Sequence, residues 1–252
     1  MENTEKSLLG IRDRGLGTGF IRTFGRIHGK KLSTRQAWLI ENILPTLIPS
    51  PQSPVPQNRF AILEIGFGAG EHLLHLAETN PEALVIGAEP YINGVASLLS
   101  QMTDEKNEIK PEYKNIKIWP DDIRKLLSTY ASRLTLNGMQ NINFEKIYIL
   151  HPDPWPKARH EKRRLLSAEF LNELSAYLAP DGKIIIGTDH YDYFKWILEQ
   201  LNKTGLKITN FKESSGYDYI TPPESGLDTR YKEKNMFESA HPMYLTLYSR
   251  LD

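Results

Sequence analysis

Short apolar runs alternate with segments of helical periodicity along most of the chain, and this alternation restricts the possible folds more than any other feature. The apolar runs are Phe60–Ile65, Ala83–Ala88, Ile116–Trp119, Phe144–Leu150 and Lys183–Thr188. A helical pattern follows each of them, over Glu71–Thr79, Tyr91–Met102, Asp122–Tyr130, Leu165–Leu178 and Tyr191–Lys203. Strands that alternate with helices predict βαβ units, which build a parallel sheet with helices on both faces.

The C-terminal part of the chain departs from this alternation. Leu206–Lys212 and Met243–Arg250 both have strand patterns, and no helical pattern lies between them. We therefore expect an antiparallel pair of strands at the edge of the sheet. About thirty residues separate the two strands, and a loop of that length in a compact domain is more often functional than idle.

Changes in composition indicate the domain organisation. Residues 1–30 are rich in glycine and arginine without a clear period, which predicts a basic, flexible arm. Residues 31–57 contain a helix that Ser33 or Thr34 caps, followed by a proline-rich linker. Residues 58–252 then form the α/β domain.

The composition also excludes several classes of site. The 252 residues include no cysteine, so the chain has no disulfide, no thiolate metal site and no cysteine nucleophile. The histidines lack the spacing of metal ligands, and we expect no metal. No apolar run approaches the roughly 18 residues that span a membrane, and residues 1–10 lack the apolar core of a signal peptide. We therefore expect a cytoplasmic protein, and the sequence leaves open whether it is a monomer or a homodimer.

The formal net charge is zero, yet two parts of the chain are strongly basic. Between Ile11 and Arg35 the bases face a single acid, Asp13, and between Lys157 and Arg164 they face only Glu161. For each run alone, a solvated face or a disordered tail is as good an explanation as a binding surface. Two such runs in one neutral protein favour a surface that binds phosphates.

A glycine-rich loop, EIGFGAGEH, follows the first strand. Gly66, Gly68 and Gly70 let the backbone turn tightly and approach a ligand closely. A dinucleotide fingerprint needs a glycine where this chain has Glu71, whose carboxylate would also repel a pyrophosphate. The loop and Glu64 instead suit S-adenosylmethionine, because its sulfonium cation and amino-acid group favour a nearby carboxylate. A glycine-rich turn without a ligand is the alternative.

Carboxylates also follow the second and third strands. Glu89 lies roughly 20 residues beyond the glycines, where this fold class binds ribose hydroxyls. A carboxylate can accept both hydroxyl protons, whereas the alternative role of a helix cap suits glutamate poorly. After the third strand, Asp121 or Asp122 could accept from the adenine amino group while the other caps the next helix.

The stretch HPDPWPKARHEKRR comes directly after the fourth strand and is the most unusual part of the sequence. Its prolines fix the backbone, so they preorganise Asp153 and Trp155. Trp155 offers a flat face on which a base can stack, and Asp153 offers hydrogen-bond acceptors. Lys157, Arg159 and the run 162–164 can meet phosphates. A rigid connector with a buried tryptophan is the alternative.

With these residues the sequence resembles the bacterial tRNA (guanine-N7)-methyltransferases. The family has a Pro-Asp-Pro-Trp-x-Lys-x-Arg-His-x-Lys-Arg-Arg block, which this chain matches in HPDPWPKARHEKRRL over residues 151–165. Shorter matches support the resemblance, namely EIGFGAG, GAEP, GTD at 187–189, TRYKEK at 229–234 and FGRIHGKKLSTRQ at 24–36. The resemblance implies a Rossmann-like class I methyltransferase fold over residues 58–252, with a mostly parallel seven-stranded sheet, helices on both faces and an antiparallel edge strand.

The implied activity is methyl transfer from S-adenosylmethionine to N7 of a guanosine in the variable loop of tRNA. By motif position, Glu64, Glu89 and Asp122 would contact the cofactor, and Asp153 would be the catalytic acid residue. The substrate contacts would come from Lys157, Asp189, Thr229, Arg230, Tyr231 and Lys232. The family usually has glutamate after Thr-Arg-Tyr, whereas this chain has Lys232 and then Glu233, so the role of Lys232 stays open.

Guanine N7 carries a lone pair and no proton, so its methylation requires no general base. We predict that Asp153 instead accepts hydrogen bonds from N1–H and the exocyclic amine of guanine, which would align N7 and oppose the charge that develops on the ring. Asp189 could be a second orienting carboxylate or the N-cap of the helix near Tyr191. The rival functions are a methyltransferase for a small molecule or protein, and a tRNA-binding module without activity.

Overall fold

The computed structural model of the chain describes residues 23–25, 27–49, 60–128, 143–209, 211–212, 216–217 and 242–249. These residues fall into two compact units, one within Met1–Arg59 and Ile65–Asn141 and the other within Phe60–Glu64 and Ile142–Asp252. Most of the predicted N-terminal arm lies outside the described residues, as does most of the long C-terminal loop, so the predicted domain boundaries stay a prediction.

The first unit contains helices and the strands of one end of the sheet. Its helices are α1 (Thr34–Asn42), α2 (Leu44–Leu47), α3 (Glu71–Thr79) and α4 (Ile92–Met102), and residues 123–128 are also helical. Its strands are β2 (Leu84–Ala88) and β3 (Ile116–Trp119), which pair in parallel. A 3-10 turn over Pro111–Tyr113 precedes β3.

The second unit contains most of β1 (Ala61–Ile65) and all later strands. These are β4 (Phe144–Leu150), β5 (Leu178–Thr188), β6 (Leu206–Ile208), β7 (Phe211–Lys212), β8 (Gly216–Tyr217) and β9 (Met243–Ser249). Its helices are α5 (Ala168–Ser175) and α6 (Tyr191–Leu201), and a 3-10 helix covers Ala158–Arg163.

Seven strands form one sheet in the order β3-β2-β1-β4-β5-β9-β6. Strands β4 and β5 are parallel, whereas β9 is antiparallel to both of its neighbours, β5 and β6. This confirms the predicted mostly parallel sheet and the antiparallel pair at its end. The antiparallel strand β9 lies one place inside β6, which is the edge strand.

The central strands are buried on both faces, which explains their continuous apolar runs. All of β1 is buried, and Ile184, Ile185 and Ile186 of β5 are at most 1% exposed. At the N-terminal end, Ser33 rather than Thr34 caps α1, because its hydroxyl accepts from the Gln36 amide while the Gln36 side chain accepts from the Ser33 amide. This reciprocal pair is a capping box.

Three predicted boundaries were wrong. The helix predicted over Leu165–Leu178 covers only Ala168–Ser175, and β5 begins at Leu178 instead of Lys183. Pro180, five residues after Ser175, disfavours a helix that continues through this stretch. The early part of β5 is irregular, since its register against β4 shifts and Asp181 has φ +64°.

The strand predicted over Leu206–Lys212 is also divided. Strand β6 ends at Ile208, where Thr209 donates both its amide and its hydroxyl to the carbonyl of Thr246. Phe211–Lys212 then pairs with Gly216–Tyr217 in a separate two-stranded sheet.

The irregularity of β5 makes one glycine indispensable. A Cβ at Gly182 would lie 2.6 Å from the carbonyl oxygen of Phe144 and 2.9 Å from that of Ala179. Because both contacts are backbone, we expect Gly182→Ala to lower the free energy of unfolding by about 1–3 kcal/mol, measured by urea denaturation. Gly205→Ala is the matched control, since no heavy atom lies within 4 Å of its Cβ position, and it should stay within about 0.5 kcal/mol. Equal stability of the two variants would contradict this reading of the bulge.

Candidate active site

The glycine loop after β1 has the backbone geometry that its sequence predicts. Gly66, Gly68 and Gly70 have φ values of +79°, +58° and +94°, a region that residues with a Cβ rarely adopt. Gly70 is also the N-cap residue of α3. No heavy atom lies within 4 Å of a Cβ position at Gly66, so there is open space beside the backbone where β1 ends.

Glu89 connects this loop to the start of α4. Its Oε2 accepts from the Gly68 amide at 2.8 Å, and its Oε1 accepts from the Tyr91 amide at 2.8 Å. The residue is 8% exposed. The two amides hold the carboxylate in place just beyond the end of β2, where this fold class binds ribose hydroxyls.

Gly94, which was not predicted from the sequence, brings α4 close to the glycine loop. A Cβ at Gly94 would lie 2.2 Å from the carbonyl oxygen of Gly68 and 3.5 Å from Cγ of Glu89. An isolated glycine inside a helical pattern was the available signal, because such a glycine often marks close packing.

Asp121 and Asp122 are both buried, and each is paired with a cation. Asp121 accepts from Lys125 Nζ at 2.9 and 3.0 Å. Asp122 accepts from Arg124 Nε at 2.9 Å and from Nη2 at 2.6 Å. Asp122 also precedes the helical residues 123–128 and accepts from the Arg124 amide, so it has the N-cap role that the sequence left open.

Glu64 is 3% exposed, near the end of β1. A carboxylate there is unusual, because the strand is otherwise apolar and acidic residues are seldom fully buried. Within the first unit, the glycine loop, the open space at Gly66 and the Glu89 carboxylate fit a ligand with hydroxyl groups.

The block after β4 follows a strained path. His151 and Trp155 have φ values of +51° and +44°, which are uncommon for residues other than glycine. Asp153 lies between them and is exposed to solvent. Partial desolvation by the surrounding protein raises the pKa of the Asp153 carboxyl group. The prolines at 152, 154 and 156 restrict this loop, so the side chain of Asp153 is presented from a stiff backbone.

Trp155 is contacted by residues of the 3-10 helix that follows it. Arg163 lies over its ring, with the guanidinium carbon 5.0 Å from the ring centroid, and His160 meets the ring edge-on at 5.7 Å. Cation–π contacts of this kind fix a tryptophan ring in one orientation. Burial and the nearby cations Arg163, Arg159 and Lys157 lower the pKa of His160.

Arg164 faces inward, contrary to the prediction that the whole run 162–164 can meet phosphates. Its Nε donates to the carbonyl of Pro154 at 3.0 Å, and its guanidinium lies 5.0 Å from the ring centroid of Trp196. Glu161 accepts from Trp196 Nε1 and lies 3.9 Å from Arg164. Arg164 therefore holds the proline-rich loop, whereas Lys157, Arg159 and Lys162 are exposed.

The structure excludes one of the two roles considered for Asp189. The N-cap of α6 is His190, whose Nδ1 accepts from the Tyr193 amide at 3.2 Å. Asp189 lies instead beside the ring of His151, with 3.8 Å between Oδ1 and Nδ1. Burial lowers the pKa of His151, while Asp189 opposes this shift. The N-cap alternative for Asp189 was therefore wrong.

Some predicted features lie outside the described residues, including Thr229, Arg230, Tyr231 and Lys232. Within the described residues, no group of histidine and carboxylate side chains is arranged to hold a metal ion. None of the described helices is long and apolar enough to cross a membrane.

Comparison with known proteins agrees with these features. A family model described as "Putative methyltransferase" matches residues 58–238. A tRNA (guanine-N(7)-)-methyltransferase of Ruegeria sp. is 34% identical, over 88% of this chain and 86% of the relative. A protein of the same name from Agrobacterium fabrum is 36% identical, over 90% of this chain and 94% of the relative. The chain belongs to the tRNA (guanine-N7)-methyltransferase family. The resemblance that the Pro-Asp-Pro-Trp block indicates is thereby confirmed.

For this member of the family, the inward position of Arg164 can be tested against an exposed neighbour. Arg164→Met removes the hydrogen bonds to the loop carbonyls, so we expect the free energy of unfolding to fall by about 1–3 kcal/mol in urea denaturation. Lys162→Met should leave stability within about 0.5 kcal/mol and weaken tRNA binding. If both variants keep full stability and weaken tRNA binding alike, Arg164 is a phosphate contact, as the sequence predicted.

Proposed function

We propose that the protein transfers a methyl group from S-adenosylmethionine to N7 of a guanosine in the variable loop of tRNA. The observation that carries the proposal is the block at 151–164. It contains an exposed carboxylate, Asp153, and exposed cations, in a chain whose relatives are named tRNA (guanine-N(7)-)-methyltransferases. We propose the cytoplasm as the location of the protein, since its proposed substrate, tRNA, is present there.

The family and the class I fold imply S-adenosylmethionine as the cofactor. We assign its binding to the loop of Gly66, Gly68 and Gly70 together with Glu64 and Glu89. The backbone of the loop gives close approach, Glu89 suits the ribose hydroxyls, and Glu64 suits the positively charged part of the ligand. Because Asp122 caps the helical residues 123–128, the sequence alternatives leave Asp121 for the adenine amino group, whereas the family's motif position favours Asp122.

The cofactor, when bound, supplies a methyl group whose bond to sulfur breaks as the bond to N7 forms, and the sulfur keeps the electron pair. Guanine gains a positive charge and gives up no proton in this step. Asp153 therefore need not act as a base. In our proposal it accepts from N1–H and the exocyclic amine of guanine, and its negative charge stabilises the ring as the charge develops.

The remaining block residues have supporting roles in this proposal. Lys157 and Arg159 contact phosphates, Trp155 provides an aromatic surface for a base, and Asp189 is a second orienting carboxylate. The contact between Asp189 and His151 supports the last role, because a buried neighbour restricts the rotation of the carboxylate. The stretch Thr229–Lys232 is proposed as a further substrate contact on the family pattern alone.

The function is tested by mapping N7-methylguanosine in tRNA after incubation with the protein and S-adenosylmethionine. We expect modification of one guanosine in the variable loop, detected by borohydride reduction and aniline cleavage at that position. Methyl incorporation into protein or a metabolite fraction instead would favour the rival methyltransferase classes. A protein that binds tRNA but shows no heat of binding with S-adenosylmethionine in calorimetry would be a binding module without activity.

The role of Asp153 predicts a specific defect. Asp153→Asn keeps the size of the side chain but removes its charge and one acceptor, so we expect the turnover number to fall by about 10²-fold. The affinity for S-adenosylmethionine, measured by calorimetry, should stay within about twofold. Asp181→Asn is the matched control, since Asp181 is an exposed aspartate of the β5 bulge. Wild-type turnover of the Asp153→Asn variant would rule out the orienting role.

A further inference from the structure

Residues 27–30, which precede α1, lie against the first turn of α4. The Ile92 amide donates to the carbonyl of Ile27 at 3.0 Å. Asn93 makes two further bonds with its side chain, since Oδ1 accepts from the Gly29 amide at 2.8 Å and Nδ2 donates to the carbonyl of Lys30 at 2.6 Å. One asparagine thus satisfies a donor and an acceptor of the same backbone segment, which fixes its position on the helix.

The same turn of α4 also contacts the cofactor-binding residues. Tyr91 holds the Glu89 carboxylate through its amide, and Gly94 packs against the carbonyl of Gly68. Tyr91 also lies against the 27–30 segment, because a Cβ at Gly29 would be 2.2 Å from the Tyr91 hydroxyl oxygen. The turn therefore has the segment on one side and the glycine loop with Glu89 on another.

A second contact ties the N-terminal part of the chain to the same region. The hydroxyl of Thr23 donates to Asp121 Oδ1 at 3.4 Å. Asp121 follows β3 and Glu89 follows β2, and these parallel strands are neighbours. The described residues on either side of position 26 thus approach the carboxyl ends of both strands, where open α/β sheets bind their ligands.

We propose that Asn93 is a positioning residue for cofactor binding, and that it holds residues 27–30 as one wall of the S-adenosylmethionine site. This inference rests on the proposed function. Asn93 does not itself touch the ligand. It acts through the segment, which lies against Tyr91, and the Tyr91 amide donates to the Glu89 carboxylate.

The test is calorimetric titration of the full-length protein with S-adenosylmethionine. Asn93→Ala removes both side-chain hydrogen bonds to the segment, so we expect the dissociation constant for the cofactor to rise about 5- to 20-fold. Asn93→Asp keeps the shape and the acceptor but places an oxygen against the carbonyl of Lys30. Its affinity for the cofactor should therefore fall at least as much as that of Asn93→Ala. In kinetics, KM for the cofactor should rise while kcat at saturating cofactor stays within about twofold, as expected when binding in the ground and transition states is lost equally.

Asn115→Ala provides the matched control. Asn115 also bridges backbone groups with its side chain, donating to the carbonyls of Ala77 and Asn80 at 3.3 and 3.1 Å, but it precedes β3 and lies away from the carboxyl ends of the strands. Its loss should lower the melting temperature without changing cofactor affinity. Amide hydrogen exchange at residues 27–30 should become faster in Asn93→Ala and stay unchanged in Asn115→Ala.

The outcomes separate this inference from the proposed function. If the wild type binds S-adenosylmethionine and Asn93→Ala binds it equally well, the positioning role is wrong and the proposed function stands. The role is also wrong if Asn115→Ala loses as much affinity as Asn93→Ala, because the effect then reflects stability in general. If the wild type does not bind the cofactor, both the proposed function and the positioning role of Asn93 are wrong. A change in hydrogen exchange would then show only a structural contact.

Discussion

The geometry of the glycine loop depends on the two hydrogen bonds that the Glu89 carboxylate accepts. This carboxylate accepts from amides on two separate elements, the glycine loop and the start of α4. Charge-assisted hydrogen bonds of this type are stronger than those between neutral groups. They hold the loop and the carboxylate in one fixed arrangement. The positive φ values of the loop are tolerable because glycine carries no Cβ, and the contact at Gly94 requires glycine for the same reason.

In the second unit, the Arg164 guanidinium group holds the proline-rich loop as Glu89 holds the glycine loop. Arg164 joins the carbonyl of Pro154 to the ring of Trp196, and Glu161 binds both Arg164 and Trp196. A planar guanidinium can donate in its plane and stack with its faces, which a lysine cannot do. The basic run thus divides by function, because Arg164 shapes the loop that presents Asp153 while Lys157, Arg159 and Lys162 face solvent.

Sequence patterns gave the order and type of the main elements because buried parallel strands and amphipathic helices differ in period and length. They failed where a tertiary contact decided the outcome. The N-cap of α6 is His190 and not Asp189, and an imidazole acceptor is an unusual cap that residue preferences do not favour. The start of β5 was missed because its pairing with β4 passes through a bulge at Asp181–Gly182, which breaks the apolar run.

By itself, the sequence determined the class of fold, the family, and the carboxylates and glycines that are candidates for the site. These depend on residue type and spacing, which are local properties of the chain. Only the tertiary structure decided which polar groups already have hydrogen-bond partners within the protein. It placed Asp122 at a helix start, turned Arg164 inward, and set Asn93 against residues far away in the sequence. A side chain's role depends on which partners satisfy its donors and acceptors, and those partners become neighbours only when the chain folds.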